Sequence, residues 1–184
     1  MQLTEPQKET LMREALAEAQ RGMDEGEAPI GCVLALGGDG PDAGPQVVAW
    51  GHNRVNALGR KTAHAEMVSF ENAGSHNEEP PALPLDAENI ILVSTLEPCV
   101  MCLGAAMEGG VSLVLFGLPA PADSGTQRVT PPQSPESRRP EIEGGILAAE
   151  SRALFEVWLE KNKGTEQAKF ARQLLSLTGQ NSQG

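Results

Sequence analysis

The chain has 184 residues, a formal net charge of −11 at pH 7 and an aromatic content of only 3%. Clustered cations bind nucleic-acid phosphates and aromatic rings stack on single-stranded bases, so 14 basic against 25 acidic residues and the lack of tyrosine disfavour a nucleic-acid partner. A local basic patch near Arg138 and Arg139 is left open as an exception. No apolar run approaches the roughly 20 residues of a membrane span.

The ends of the chain give only general expectations. The first six residues lack the basic start and apolar stretch of a signal peptide, so we expect a cytoplasmic location and no membrane partner. No linker or internal repeat divides the sequence. We therefore expect one domain over 1–178 and a disordered tail over 179–184.

The first half of the chain predicts two helices and two strands. An amphipathic helix covers 4–22, where apolar residues repeat at helical spacing. Strands follow at 30–37 and 46–51, with a connection rich in Gly and Pro between them. A helix then runs from 63 to about 72, and a polar, Pro-rich loop covers 74–88.

The second half predicts two buried strands and three helices. The run 89–95 is rich in apolar and β-branched residues, as in a central strand buried on both faces. A helix with Pro in its first turn covers 98–108, and another buried strand covers 111–117. The predicted elements end with a Pro-rich loop or substrate-facing flap over 119–140 and helices over 146–161 and 165–177. Strands that alternate with helices indicate a layered α/β fold.

Three residues have the types and the spacing of a zinc site. Cys99 and Cys102 lie three apart at the start of a predicted helix, where one face can hold both sulfurs and the helix dipole favours thiolate. His64 opens another predicted helix. Structural zinc sites usually close with four protein ligands, whereas catalytic sites keep three and leave a position for water. No fourth Cys or His follows at a ligand-like spacing, so the sequence predicts one catalytic Zn²⁺.

Glu66 follows His64 by two residues and can reach a zinc-bound water without binding the metal. A carboxylate there can take a proton from water and deliver it to a ring nitrogen and then to a leaving amine. His-x-Glu followed by Pro-Cys-x-x-Cys is the known signature of zinc-dependent deaminases. The sequence therefore predicts a hydrolase acting on C–N bonds of cyclic amidines, with Glu66 as its catalytic residue.

Five segments together resemble the cytidine deaminase-like superfamily, and within it the branch of tRNA adenosine deaminases and guanine deaminases. These segments are 29–33, 51–55, 62–67, 95–105 and 144–148. The similarity extends over about residues 5–160. It implies a three-layer α-β-α sandwich around a five-stranded mixed sheet, one zinc per subunit and usually a homodimer.

The resemblance also implies substrate contacts. By it, Asn53 hydrogen-bonds the substrate base, and the Ala65 backbone contacts a carbonyl or ring nitrogen of that base. From the residues alone, Asn53 also fits a turn that ends a strand. His52 and His76 have no such counterpart, and we expect both to face solvent.

The sequence favours a small substrate. Where the tRNA enzymes usually carry Asp-Pro before Thr-Ala-His, this chain has Arg60-Lys61, and its C-terminal lysines are mixed with glutamates. We expect a free nucleobase or nucleoside, with an aminopurine such as guanine favoured. The alternatives are conversion of adenosine to inosine at the tRNA wobble position and a zinc-binding structural or regulatory protein without turnover. Retention of Glu66 disfavours the last, because metal binding alone does not require it.

An apolar stretch over 103–107 bears on assembly. If it is exposed on a monomer, it favours the dimer that the resemblance implies. From the sequence alone, the stretch is about as well explained by packing under the sheet. A homodimer is nevertheless the predicted state.

Overall fold

The structure is a computed structural model that describes residues 2–38, 43–74, 83–84, 86–133 and 137–179. Its helices are α1 (Glu5–Asp24), α2 (Val55–Leu58), α3 (Ala65–Ala73), α4 (Val100–Glu108), α5 (Ala148–Asn162) and α6 (Gln167–Gly179). Its strands are β1 (Gly31–Leu36), β2 (Gln46–His52), β3 (Ile90–Leu96), β4 (Val111–Leu118) and β5 (Glu141–Gly144). His76 and residues 180–184 of the predicted tail lie outside the described ranges.

The five strands form one mixed sheet in the order β2-β1-β3-β4-β5. β1 pairs antiparallel with β2 and β3, whereas β4 pairs parallel with β3 and β5. At the centre of the sheet, Val93 lies opposite Val33 on one side and Leu115 on the other. The predicted five-stranded mixed sheet is therefore confirmed.

Alternating side chains give the sheet two apolar faces. On one face, Val33, Ile91 and Leu115 pack in one cluster with Leu11 and Ala15 of α1. The other face packs against α3 and α4. Its buried residues include Cys32, Leu34, Leu92, Val114, Ala65, Leu103 and Ala106. Helices on both sides of the sheet give the α-β-α sandwich, which confirms the predicted fold class.

Helix α1 lies against the sheet because its start is capped and its apolar stripe is continuous. The Thr4 N–H donates to the Gln7 side chain at 2.9 Å, as in a capping box. Gly31 then allows β1 to approach the helix backbone. A Cβ at that position would lie 2.1 Å from the Ala15 carbonyl oxygen, so a larger residue would push the layers apart.

A third apolar cluster fills the carboxyl ends of the central strands. It joins Leu96 of β3 and Leu118 of β4 to the buried Phe155 and Trp158 of α5. Leu174 of α6 packs into the same cluster. The two C-terminal helices therefore cover the end of the sheet from which the predicted metal-binding segment leaves β3.

Two elements of the structure were not predicted from residue patterns. The short helix α2 follows directly after β2, and β5 adds a parallel edge strand at the end of the Pro-rich segment. The other predicted helices and strands are present, with boundaries that differ by one or two residues. The single-domain boundaries stay a prediction.

Within the described ranges, no helix combines the length and the apolar character that crossing a bilayer requires. The location of the protein in the cell stays a prediction.

Candidate metal centre and active site

The predicted metal ligands meet at the carboxyl end of β3. His64 immediately precedes α3 and Cys99 immediately precedes α4, so each occupies the N-cap position of its helix. Cys102 lies in the first turn of α4 and is fully buried. Two helix N-termini therefore converge on one cluster, and their positive dipole ends favour anionic sulfur there.

The three ligand atoms form a nearly equilateral triangle. The His64 Nδ1 atom lies 3.6 Å from the sulfur of Cys99 and 3.6 Å from that of Cys102, and the two sulfurs are 3.6 Å apart. A tetrahedral zinc ion with its usual bond lengths would need edges of about 3.6 Å between nitrogen and sulfur and about 3.8 Å between sulfurs. The cluster can therefore hold zinc through three protein ligands.

The pKa values of the three ligand side chains are shifted in different directions. The hydrogen bond with Cys102, helped by His64, lowers the pKa of Cys99 to about 4. The same sulfur–sulfur hydrogen bond, with burial and the nearby Glu66, raises the pKa of Cys102. The hydrogen bond with Cys99 also raises the pKa of His64. Zinc binds thiolate and neutral imidazole, so metal binding displaces protons from Cys102 and His64 and strengthens as pH rises.

Glu66 lies beside the ligands in the first turn of α3 and is only 3% exposed. Its Oε2 accepts a hydrogen bond from the Cys102 sulfur at 3.3 Å, and its Oε1 accepts one from the Ser94 hydroxyl of β3 at 3.2 Å. Burial raises the pKa of the Glu66 carboxyl above its ordinary value of 4.5. A carboxyl so placed suits a group that takes and then returns a proton.

A cavity of about 270 Å³ adjoins the cluster, with His64, Glu66 and Cys99 on its wall. Apolar residues of α5 and α6 line it as well: Phe155, Trp158, Phe170 and Ala171. Of the described residues that line it, none is a lysine or arginine, and three are acidic: Glu66, Glu97 and Asp123. The volume is just below the range of about 300–1,000 Å³ that is usual for ligand pockets. It suits one small planar molecule.

The structure separates the two predicted substrate contacts. Asn53 lies on the wall of the cavity, just after β2, with its side chain almost completely buried. Ala65, the first residue of α3, is fully buried, and within the described part of the chain it is not a lining residue. Contact between the Ala65 backbone and a substrate stays a prediction.

Glu97 connects the metal-binding segment to the segment after β4. Its buried carboxylate accepts a hydrogen bond from the Ala120 N–H at 2.8 Å and others from the Ser124 and Thr126 hydroxyls. The chain passes so close to the ligand segment here that a Cβ on Gly125 would lie 2.4 Å from the Cys99 carbonyl oxygen. This part of the predicted flap is therefore fixed against the metal centre, with Asp123 at the cavity.

His52 differs from its prediction. Its side chain is only 14% exposed, and its two ring nitrogens lie 3.2 Å from carboxylate oxygens of Glu18 and Glu25. The expectation that it faces solvent is wrong, because Glu18 of α1 and Glu25, which follows the last residue of that helix, enclose the ring. The His76 prediction lies outside the described residues.

Several cavity residues were not predicted as part of a site. Phe155 and Trp158 belong to the apolar stripe of a predicted helix, a pattern that any core-facing helix shows. Gln167 and Phe170 come from the last helix, and Asp123 from the Pro-rich segment. The sequence holds no local signal for these roles, because they arise from tertiary packing.

Residues 5–118 match the family model of the cytidine and deoxycytidylate deaminase zinc-binding region. A tRNA-specific adenosine deaminase of Streptococcus pyogenes is 30% identical over 168 residues, which cover 89% of this chain and 89% of that protein. The tRNA-specific adenosine deaminase 2 of Xenopus laevis is 36% identical over 118 residues, covering 64% of this chain and 63% of that protein.

Solved structures are similar in fold. One, from a study of A-to-I editing by tRNA:A34 deaminases at the wobble position of transfer RNA, has a TM-score of 0.59 and 27% identity, covering 79% of this chain and 98% of that chain. A guanine deaminase from Nitrosomonas europaea has a TM-score of 0.60 and 20% identity, covering 82% of this chain and 83% of that chain. At that identity, the second likeness concerns the fold alone.

Proposed function

The chain belongs to the cytidine and deoxycytidylate deaminase family with its zinc-binding region, and from that premise we propose that it hydrolytically deaminates a free nucleobase or nucleoside. The exocyclic amine leaves as ammonia, and an aminopurine such as guanine is the favoured substrate. The observation that carries this proposal is a small cavity beside the three zinc ligands, which a helix of the same chain lines and to which no described lysine or arginine contributes.

In the proposed mechanism, His64 Nδ1 and the sulfurs of Cys99 and Cys102 would hold the zinc ion. Zinc in such a site would supply a water of lowered pKa as the nucleophile. Glu66 would take one proton from that water and pass it to a ring nitrogen while the oxygen adds to the ring carbon. The added hydroxyl would then give its remaining proton through Glu66 to the amine, which leaves as ammonia as the C–N bond breaks and the ring carbonyl forms. The hydrogen bond from Ser94 keeps the Glu66 carboxylate facing the ligands during these transfers.

The position of α6 supports a small substrate. Gln167, Phe170 and Ala171 on this helix line the cavity. Arg152 of α5 binds the end of α6 through the Thr178 hydroxyl at 2.7 Å and the Leu175 carbonyl at 3.1 Å. A polynucleotide would have to pass this helix and hold its phosphates without a lining cation in the described part of the chain.

A second candidate, deamination of adenosine in tRNA, is favoured by a different observation. The similarity to the Streptococcus pyogenes tRNA-specific enzyme extends over 89% of both chains. The chemistry of Glu66 and the zinc ligands would be the same. This candidate requires cations that hold phosphates, and none of the described residues that line the cavity is a lysine or arginine. A structural protein without turnover is disfavoured by the placement of Glu66 against the ligands.

A substrate panel separates these candidates. We expect ammonia release from guanine or a related free aminopurine, and no inosine in a tRNA anticodon stem-loop. The panel contains guanine, adenine, cytosine, their nucleosides and the stem-loop, with the Glu66→Gln variant as the blank for contaminating activity. Inosine in the stem-loop, with no ammonia from any free base or nucleoside, would establish the tRNA candidate instead.

We also propose a homodimer, on grounds that differ in part from those of the sequence. Leu103, Ala106 and Met107 are buried under the sheet, so these residues of the apolar segment cannot form an interface. The outer face of α4 is instead formed by Val100, which is 50% exposed, together with partly exposed Met101, Gly104 and Ala105. This small apolar face is the proposed contact between subunits.

Gly104→Arg should turn the dimer into a monomer. A Cβ on Gly104 meets no atom within 4 Å, so the monomer accommodates the substitution while a partner helix does not. Light scattering at micromolar concentration gives the mass. Gly164→Arg, also at an open position but after α5, is the matched control and should stay dimeric. A monomeric wild-type protein at that concentration would contradict the proposed dimer.

A further inference from the structure

Glu27 is a buried carboxylate that lies between α1 and β1 and is 1% exposed. Its Oε2 accepts hydrogen bonds from the Asn53 side-chain nitrogen at 2.9 Å and the Asn56 N–H at 3.2 Å, and its Oε1 accepts one from the Ala57 N–H at 2.7 Å. Among the described residues, no lysine, arginine or histidine forms an ion pair with it. Such a charge is costly to bury unless hydrogen bonds satisfy it, and three do so here.

The partner in the cavity wall is Asn53. An ionised carboxylate can only accept hydrogen bonds, so the end of the Asn53 amide that faces Glu27 has to be its NH₂ group. The main chain of Asn53 is fixed as well, because its N–H donates to the Ile30 carbonyl at 2.9 Å. The amide therefore has one orientation. Its carbonyl oxygen accepts no hydrogen bond from the described residues and lies in a side chain that lines the cavity.

We propose that Glu27 is a positioning residue that fixes the Asn53 amide with its carbonyl oxygen directed to the substrate. The site then selects a ring that presents an N–H donor at this edge and rejects one that presents only an acceptor. This inference rests on the proposed function, since it names the kind of ring edge that the deaminase reads. Glu27 touches neither the ligands nor the cavity and acts through Asn53.

A double-mutant cycle tests the coupling. Glu27→Gln keeps the shape of the side chain, but glutamine can present either a donor or an acceptor to Asn53. The Asn53 amide is then no longer restricted to one orientation. We expect KM to rise about 10-fold or more, as for loss of a hydrogen bond to a charged group, with kcat little changed. In the Asn53→Ala background the same change should have no further effect on KM. Additive effects on KM would overturn the proposal.

Glu27 also holds the start of α2 through the Asn56 and Ala57 N–H groups, so a purely structural role has to be distinguished. That role would lower the melting temperature of the Glu27→Gln variant and of the Glu27→Gln/Asn53→Ala variant alike, and it would not restrict the KM effect to proteins that retain Asn53. The Glu27→Asp variant keeps the acceptor and should recover substrate selectivity in part.

Two further readouts separate this inference from the proposed function. The NMR signal of the Asn53 side-chain NH₂ group can be assigned by its loss in Asn53→Ala. Its hydrogens should exchange slowly with solvent in the wild-type protein and rapidly in Glu27→Gln. This result needs no substrate and would stand even if no base were deaminated. With an active enzyme, a methyl group on the guanine nitrogen that faces Asn53 should weaken binding to the wild-type protein. The same methyl group should not weaken binding to the Asn53→Ala variant. If binding is weakened instead by deaza analogues, in which C–H replaces an acceptor ring nitrogen, the Asn53 amide donates to the ring and the inference fails.

Discussion

Replacing Glu66 by glutamine should leave zinc bound and remove most turnover. The amide has nearly the size of the carboxylate and can keep the hydrogen bond with Ser94, but it cannot take a proton from water. A positioned acid–base group contributes about 10²–10⁴-fold, and here one carboxylate serves several transfers. We therefore expect kcat to fall by at least about 10²-fold. Steady-state ammonia release and metal analysis on the same preparation give both quantities.

A neighbouring glutamate on the same helix is the matched control. Glu71 lies on α3 with half of its side chain exposed, and it pairs with Arg60 at the surface. Glu71→Gln should keep full activity and full zinc content. If Glu66→Gln retained the wild-type rate, the proton transfer would have to be assigned to another group. If it lost zinc, its lower rate would no longer report on proton transfer.

Replacing Cys99 by alanine should remove zinc, activity and a large part of the stability. Two remaining ligands cannot hold the ion as three do, and metal binding is coupled to folding. With free zinc about 100–1,000-fold above its dissociation constant, bound metal contributes about 3–4 kcal/mol to the free energy of unfolding. Denaturant unfolding with and without a chelator measures this. The chelator should destabilise the wild-type protein and leave Cys99→Ala unchanged.

Cys32 provides the control for loss of a thiol. It is fully buried in β1, and in the described part of the chain it is not a member of the ligand cluster. Cys32→Ala should cost a little packing energy, still bind one zinc and still respond to the chelator. Stoichiometric zinc in Cys99→Ala, or equal loss of metal in both variants, would contradict the three-ligand centre.

The buried strands and the ligand set were predictable because both leave short-range patterns. Ile90–Leu96 begins with four apolar residues and is buried throughout, and the spacing of Cys99 and Cys102 already places two sulfurs on one helix face. In contrast, β5 has only one apolar residue, Ile142, and exists because it pairs with β4 across a long connection. The start of α2 depends on Glu27, almost 30 residues earlier, so no local capping pattern announces it.

The cavity was predictable only on its metal side. His64 and Glu66 carry a recognisable motif, whereas Trp158 repeats with the helical spacing of any buried stripe. Likewise, no pattern around His52 indicates that Glu18 and Glu25, far away in the sequence, enclose its ring. Such roles depend on which surfaces meet in the folded chain, and that information is spread over many weak contacts.

The division of the cavity between two parts of the chain has an evolutionary consequence. Residues 5–118, which match the family model, contain the metal ligands and Glu66, whereas Asp123, Trp158 and Phe170 come after them. Substitutions in the last third of the sequence can therefore alter which amine is removed without touching the groups that remove it. Descendants of one ancestor can therefore keep the same reaction and differ in substrate preference. A chimera that carries the final two helices of a relative would test whether the substrate preference transfers with them.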